Sequence, residues 1–221
     1  MANDAFSISE AIRYGFRTMP SKLGLCVGAA VITFVVMLAL SGFGELVHQF
    51  GALSALVGIA SQVAHAWLWM SWTRLSLKIH DAQPATLEEF VPNLGTFLNY
   101  LATAFLYTLI VALGLILFVV PGIYWGVRLS MAGFLVVDRG LDPITALHES
   151  SEVTRGARWS LFGLFFACLV INLLGALALG IGLLFTVPAS VMALAFTYRR
   201  LAARRRVPEP YRPSAHPFVP T

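Results

Sequence analysis

One arginine stands inside an apolar stretch, and its chemistry is the sharpest signal in the chain. Arg128 is the only charged residue between Glu89 and Asp138. A charge at the centre of a bilayer costs at least about 2.5–3.5 kcal/mol, so such a residue usually faces a cavity, a helix bundle or a partner. Arg128 is therefore a candidate for binding an anion or a lipid headgroup. The alternative is an arginine that snorkels to the interface or bonds carbonyls at a helix end.

Uncharged polar side chains recur at helical spacing in other apolar stretches, and they form the second candidate site. They would either line a permeation path or make interhelical hydrogen bonds, which are worth about 0.6 kcal/mol each. Both interpretations stay open. The candidates for such a polar lining are Ser61, Gln62, His65, Thr103, Tyr107 and Asn172.

Signatures of catalysis are missing from the sequence. His148-Glu149 is followed by Ser150-Ser151-Glu152, which lacks the second histidine of a zinc-protease helix. There is no phosphate-binding loop and no serine nucleophile elbow. Cys26 and Cys168 lie singly in apolar runs, without metal spacing. We therefore expect no enzymatic activity, no metal and no cofactor.

The composition is that of a membrane protein. Of the 221 residues, 58% are hydrophobic and only 12% are charged, whereas about 25% are charged in a typical soluble domain. The net charge of +4 could suggest nucleic acid, but the basic residues flank the apolar stretches. There they indicate topology and contacts with anionic membrane lipids, and we expect no nucleic-acid partner.

The placement of the basic residues predicts the topology. Lysine and arginine occur in every second gap between apolar stretches, and cytoplasmic loops are the ones enriched in them. We predict an all-α, six-span domain over residues 1–206, with both termini in the cytoplasm. Residues 207–221 are proline-rich and predict a disordered tail. The spans are expected at about 23–41, 52–72, 96–120, 123–137, 159–178 and 183–198.

A short amphipathic helix is expected before each pair of spans. Ser7 with Glu10, and Thr86 with Glu89, have the spacing of capping boxes. A third such helix is expected from Asp142, with Pro143 in its first turn, to Gly156. We expect these helices to lie in the membrane interface. The chain would then consist of three helix-plus-hairpin units.

Residues 121–162 carry a recognisable order: a Pro-Gly turn, an arginine, and a helix with spaced small residues. This order resembles a set of bacterial inner-membrane proteins of unknown function that are related to the membrane domain joined to some glycerophosphodiester phosphodiesterases. The resemblance implies a multi-pass fold in the bacterial inner membrane rather than a particular activity. The positions that carry it include Pro121, Gly122, Ala146, Ser150, Thr154 and Gly156.

Two functional hypotheses follow from these patterns. The first is a non-catalytic inner-membrane protein that acts in envelope organisation or permeability through contacts with lipids and proteins. The alternative is a small permease or carrier of lipids or anions, with Arg128 and the polar faces of spans two and three around its path. Small-residue stripes serve contacts within and between chains equally well, so a protein partner or a homo-oligomer stays open.

Overall fold

The computed structural model describes residues 6–91, 93–177 and 182–204, and every regular element in these ranges is helical. The all-α prediction is therefore confirmed for these residues. The predicted tail over 207–221 lies outside them. The helices are α1 (Ile8–Thr18), α2 (Leu23–Val47), α3 (Gly51–His80), α4 (Leu94–Leu117), α5 (Val119–Leu129), α6 (Ala132–Arg139), α7 (Pro143–Val153), α8 (Arg158–Leu177) and α9 (Leu183–Arg204), with short 3₁₀ helices at Met19–Lys22 and Leu87–Phe90.

Among the described residues, five helical stretches are long and apolar enough to cross a membrane, and they coincide with the first five predicted spans. They are α1 with α2, then α3, α4, α5 with α6, and α8. The sixth predicted span is the helix α9, but it does not reach the same apolarity. Hydroxyl residues within α9 and the arginines at its end lower the mean hydropathy of this helix.

The outer surface of this bundle is apolar. Water would disfavour so continuous an apolar surface, whereas lipid chains would solvate it. The surface therefore supports the assignment to a membrane. Large exposed side chains include Phe34, Val35 and Leu38 on α2, Phe105, Leu113 and Ile116 on α4, and Phe166, Leu169 and Leu173 on α8.

Helix α9 forms the centre of the bundle, where α1, α2, α3 and α8 pack against it. The closest crossing is that of α1, because a Cβ atom on Gly15 would lie 2.2 Å from the carbonyl oxygen of Ala189. Ala11 and Gly15 are both buried. The small residues of this face therefore dock on α9, while the predicted position of α1 in the membrane interface stays a prediction.

The two predicted capping boxes do not form. The hydroxyl of Ser7 lies 2.8 Å from that of Ser9, and Glu10 instead binds Arg200 at 2.8 Å. Thr86 makes no side-chain cap, and a 3₁₀ helix follows it. The middle unit of the predicted triplication thus lacks an α-helix before its hairpin.

The third predicted helix begins as expected and packs against other helices. The carboxylate of Asp142 accepts a hydrogen bond from the amide of Thr145 at 3.1 Å, and Pro143 occupies the first turn of α7. Buried residues line α7 where it packs on α4, α5 and α6. Its small and hydroxyl residues fit against these helices, and its predicted position in the membrane interface stays a prediction.

The predicted fourth span is not one straight helix. The chain reverses at the extended residue Phe118, so Pro121 and Gly122 lie in the first turns of α5 rather than in the reversal. Gly114 and Gly122 allow α4 and α5 to pack closely, since a Cβ on Gly114 would lie 2.8 Å from the Cα of Gly122 and a Cβ on Gly122 would lie 2.7 Å from the backbone nitrogen of Leu115. Helix α5 then ends at Leu129, and α6 begins at Ala132. The break between them organises the candidate site.

Candidate functional site

Two hydroxyl groups of α7 satisfy the backbone where α5 and α6 separate. The hydroxyl of Ser150 donates to the carbonyl oxygen of Arg128 at 3.2 Å and accepts from the amide of Met131 at 3.1 Å. Thr154 donates to the same carbonyl at 2.9 Å. A break in an apolar helix leaves polar backbone groups without partners, and these must be satisfied within the protein. We call this arrangement the α7 clamp.

The α7 clamp gives a physical reason for three of the motif positions. Ala146, Ser150 and Thr154 are each fully buried, and their spacing of four residues places them on one face of α7. Ala146 permits close packing, while the two hydroxyls reach the break. Gly156 follows with a φ of +81°, a conformation that suits glycine. It turns the chain from α7 into α8.

Arg128 points its side chain toward α7. Its Nη2 lies 3.3 Å from the hydroxyl of Ser151, and its Nε is buried without a hydrogen-bond partner among the described residues. Arg128 thus contacts a serine hydroxyl of α7, whereas the alternative predicted bonds to carbonyls at a helix end. Its role as an anion or lipid site stays a prediction. Arg128 does not line the cavity described next.

A cavity of about 460 Å³ lies between α3, α4, α6, α8 and α9, beside the break. Thr103 and Tyr107 line it, together with Tyr100 and Ser130 on an otherwise largely apolar wall. The Thr103 hydroxyl donates to the Asn99 carbonyl at 2.7 Å. The Tyr107 hydroxyl donates across to the Gly126 carbonyl at 3.2 Å. The volume is that of a small-molecule site.

The other predicted polar residues do not reach this cavity. Ser61 donates to the Val57 carbonyl of its own helix at 2.8 Å, and Gln62 is exposed. His65 accepts a hydrogen bond from Trp69 at 2.7 Å. Of these two residues, Trp69 lines the cavity and His65 does not. The side-chain amide of Asn172 donates hydrogen bonds to the carbonyl oxygen of Cys168 and to the hydroxyl of Ser190, within the α8–α9 pair. The structure thus does not assemble spans two and three into one polar path.

A charged cluster joins the ends of three helices, and sequence reasoning missed it. Arg199 donates to Asp138 at 2.8 Å and to Asp81 at 3.0 Å, and Tyr198 donates to Asp138 at 2.6 Å. A polar pocket of about 240 Å³ beside this cluster also contains Arg74. No local pattern signals these partners, because they lie far apart in the chain.

A second contact that the sequence did not predict joins the starts of α5 and α8. The guanidinium of Arg158 donates to the hydroxyl of Tyr124 and lies 5.0 Å from its ring centroid. The sequence places residue 123 at the outer end of span four and Arg158 at the inner edge of span five, so it does not predict this contact. The start of α5 and the start of α8 lie side by side in the bundle.

The α7 clamp and most of the cavity fall within a region that matches known sequences. Residues 99–205 match the family model described as "Protein of unknown function (DUF975)". Two curated relatives are the uncharacterised proteins Rv2560 of Mycobacterium tuberculosis and Mb2590 of Mycobacterium bovis. Each is 30% identical over 140 residues, covering 62% of this chain and 42% of the relative.

The similarity to these relatives covers only part of their length. The chain spans less than half the length of the curated relatives it matches. No solved structure matches the chain significantly. None of these matches links the chain to glycerophosphodiester phosphodiesterases, so that part of the resemblance is not supported. The similarity is to uncharacterised proteins.

Proposed function

We propose that this protein is a non-catalytic, six-span protein of the bacterial inner membrane that acts in envelope organisation or permeability through lipid and protein contacts. The observation that carries the proposal is the belt of exposed apolar side chains around five membrane-length helices. The sixth span is α9, whose 22 residues extend about 33 Å. Such a helix crosses the membrane inside the bundle, where protein covers its hydroxyl residues.

The charged cluster supports the proposed orientation. Arg199 holds Asp81 and Asp138 together, so the ends of α3, α6 and α9 lie at one end of the bundle. The sequence expects these three ends in the cytoplasm because basic residues follow each span. Anionic lipids of the inner leaflet would meet the same basic rim.

Two kinds of experiment test the membrane assignment and the orientation. An alkaline wash of the membranes should leave the protein in the membrane fraction. His48→Cys and Gln83→Cys, in a background without Cys26 and Cys168, then report the two faces. A membrane-impermeant maleimide should label His48→Cys on spheroplasts, and Gln83→Cys only after permeabilisation. The reverse pattern would contradict the orientation, and release by the alkaline wash would contradict the membrane assignment.

Deletion tests the role in the envelope. Cells without the protein should take up an excluded dye faster and tolerate detergent less well. The full chain, expressed from a plasmid, should restore both properties. A deletion strain with unchanged dye entry and detergent tolerance would remove the basis for a role in permeability.

The proposed absence of catalysis is supported by the hydrogen bonds that the buried hydroxyl groups make. The hydroxyls of Ser150 and Thr154 both donate to the Arg128 carbonyl at the break between α5 and α6, rather than to a general base. No group of three His, Cys, Asp or Glu side chains that could hold a metal occurs among the described residues.

A carrier is the second candidate, and the cavity beside the break is the observation that favours it. Thr103 and Tyr107 both line that cavity. In a carrier, Thr103→Cys would react with a small water-soluble thiol reagent, and Ser61→Cys and His65→Cys, which lie outside this cavity, would react too if the path extended along span two. We expect Thr103→Cys to stay unreactive in the membrane, because Thr103 is buried. Reaction at all three positions would favour the carrier instead.

A further inference from the structure

A groove between α5 and the start of α8 has the properties of a lipid site, and neither the motif nor the α7 clamp accounts for it. Its volume is about 510 Å³. Ile123, Val127 and Phe162 form apolar walls, while Tyr124, Arg158 and Trp159 lie along the same groove. The groove is separate from the cavity beside the break, since the two share no lining residue.

The groove contains a guanidinium that the protein only partly satisfies. Arg158 is half-buried, and one face of its guanidinium contacts the ring of Tyr124. Its Nε is buried and has no hydrogen-bond partner within the described parts of the chain. A buried donor of a charged group without a partner is costly. An anionic ligand in the groove would offset that cost by pairing with the charge of the half-buried guanidinium.

The backbone adds positive character at the same place. Arg158 is the first residue of the 20-residue helix α8, and the amide of Leu161 donates to the carbonyl of Ala157. The preceding amides of the first turn lack acceptors in their own helix. They lie at the positive end of the helix dipole, next to the guanidinium. Phosphate chemistry fits this combination of a planar cation and free amides.

Trp159 places the groove at the boundary between lipid tails and headgroups. This large residue is 86% exposed. Tryptophan is enriched at headgroup level, where the ring meets both tails and water. The charged end of the groove would then lie at headgroup depth, with the apolar walls beside the acyl chains.

We propose that this groove binds one phospholipid with an anionic headgroup. The phosphate binds Arg158 and the first-turn amides of α8, and an acyl chain lies along Ile123, Val127 and Phe162. This inference rests on the proposed membrane location, and it names the lipid class that the protein contacts. Free inorganic phosphate would use the same charged groups but would leave the apolar walls uncovered.

The test uses the full chain in mild detergent and native mass spectrometry. The protein is titrated with phosphatidylglycerol or with phosphatidylcholine carrying the same acyl chains. We expect the wild type to retain phosphatidylglycerol preferentially, even in excess inorganic phosphate. Arg158→Gln should reduce retention about tenfold, the loss expected for a charge-assisted hydrogen bond. Arg17→Gln removes an exposed arginine of α1 and should retain lipid as the wild type does.

A second variant tests the apolar half of the site without changing its charge. Ile123 is 43% exposed, so Ile123→Trp should fill the groove and leave the core intact. It should reduce the retention of phosphatidylglycerol as strongly as Arg158→Gln. If the melting profile of Arg158→Gln shows that this variant does not fold, Ile123→Trp tests the site in its place. Displacement of phosphatidylglycerol by inorganic phosphate would overturn the assignment to a lipid.

The outcomes separate this inference from the proposed function. A wild type that stays in alkaline-washed membranes but binds both lipids equally would overturn the anionic-lipid site alone. Equal retention by folded Arg158→Gln and Arg17→Gln would do the same. Release of the wild type by the alkaline wash would instead overturn the membrane location on which both proposals depend.

Discussion

The hydroxyl of Thr154 lies 2.9 Å from the backbone carbonyl oxygen of Arg128, which precedes it by 26 residues. This hydrogen bond connects the end of α7 to the end of α5. It makes α7 a structural part of the bundle rather than a helix on its surface. It also means that the backbone of Arg128 is held by α7 independently of the arginine side chain.

Thr154→Val tests the α7 clamp. Valine keeps the shape of the side chain but removes the hydroxyl, so Ser150 alone would satisfy the Arg128 carbonyl. We expect the free energy of unfolding to fall by about 1–2 kcal/mol, the effect of losing a buried hydrogen bond. Denaturant unfolding in detergent would measure it. Thr86→Val, at an exposed threonine without a cap bond, should have little effect, and equal effects would contradict the clamp.

Gly15→Ala tests the docking of α1 on α9. The new methyl group would lie 2.2 Å from the Ala189 carbonyl oxygen, so α1 must move away. We expect faster proteolysis near the N-terminus and a lower melting temperature. Gly24→Ala is the matched control, because nothing lies within 4 Å of its Cβ position and alanine favours helix. If Gly15→Ala were as stable and protected as the control, α1 would not dock as described.

Asp138→Asn tests the charged cluster that joins three helix ends. The substitution removes the charge that faces Arg199 and weakens the acceptor for Tyr198. We expect a loss of about 1–3 kcal/mol in unfolding free energy, less than for a fully buried pair because the groups are partly exposed. Glu10→Gln breaks an exposed pair with Arg200 and should cost under about 1 kcal/mol. The opposite order would contradict the proposed role of the cluster.

Asp142→Ala gives a prediction for pH. Hydrogen bonds from the side chain and the amide of Thr145 lower the pKa of Asp142 below its ordinary value, which is about 3.9. A carboxylate with a lowered pKa stabilises the fold above its ordinary pKa, and this contribution is lost as the pH falls through the folded pKa. The wild type should therefore melt above Asp142→Ala near neutral pH, and the difference should shrink below about pH 4. A difference that grows in acid would contradict this account of the cap.

The helices themselves were largely predictable from the sequence, and the reason is local. Long apolar runs with few charges predict membrane-length helices, and five such stretches occur in the part of the chain that the structure describes. The Asp142-Pro143 start of α7 was also readable, since a cap depends on neighbouring residues. The Ser7–Glu10 and Thr86–Glu89 patterns failed because distant contacts or a 3₁₀ helix replaced the expected local bonds.

The candidate sites were less predictable, because each depends on residues far apart in the chain. The sequence identified Arg128 as unusual, but only the fold shows that its side chain turns toward Ser151. The spacing of Ala146, Ser150 and Thr154 marked one face of a helix, without indicating that a broken helix lies against it. The groove at Arg158 needs α5 and α8 side by side, and no local pattern predicts that pairing.

The sequence by itself determined the helical class, the apolar stretches, the polar residues within them and the basic ends. These follow from composition and periodicity, which act over a few turns of chain. The tertiary structure decided which element covers each face. Small residues at Gly15 and Gly122 let backbones approach closely, so α1 packs on α9, and α5 packs on α4. An apolar or small-residue face of a helix must be covered, and the sequence predicts such a face. Only the packed chain shows whether lipid or another helix covers it.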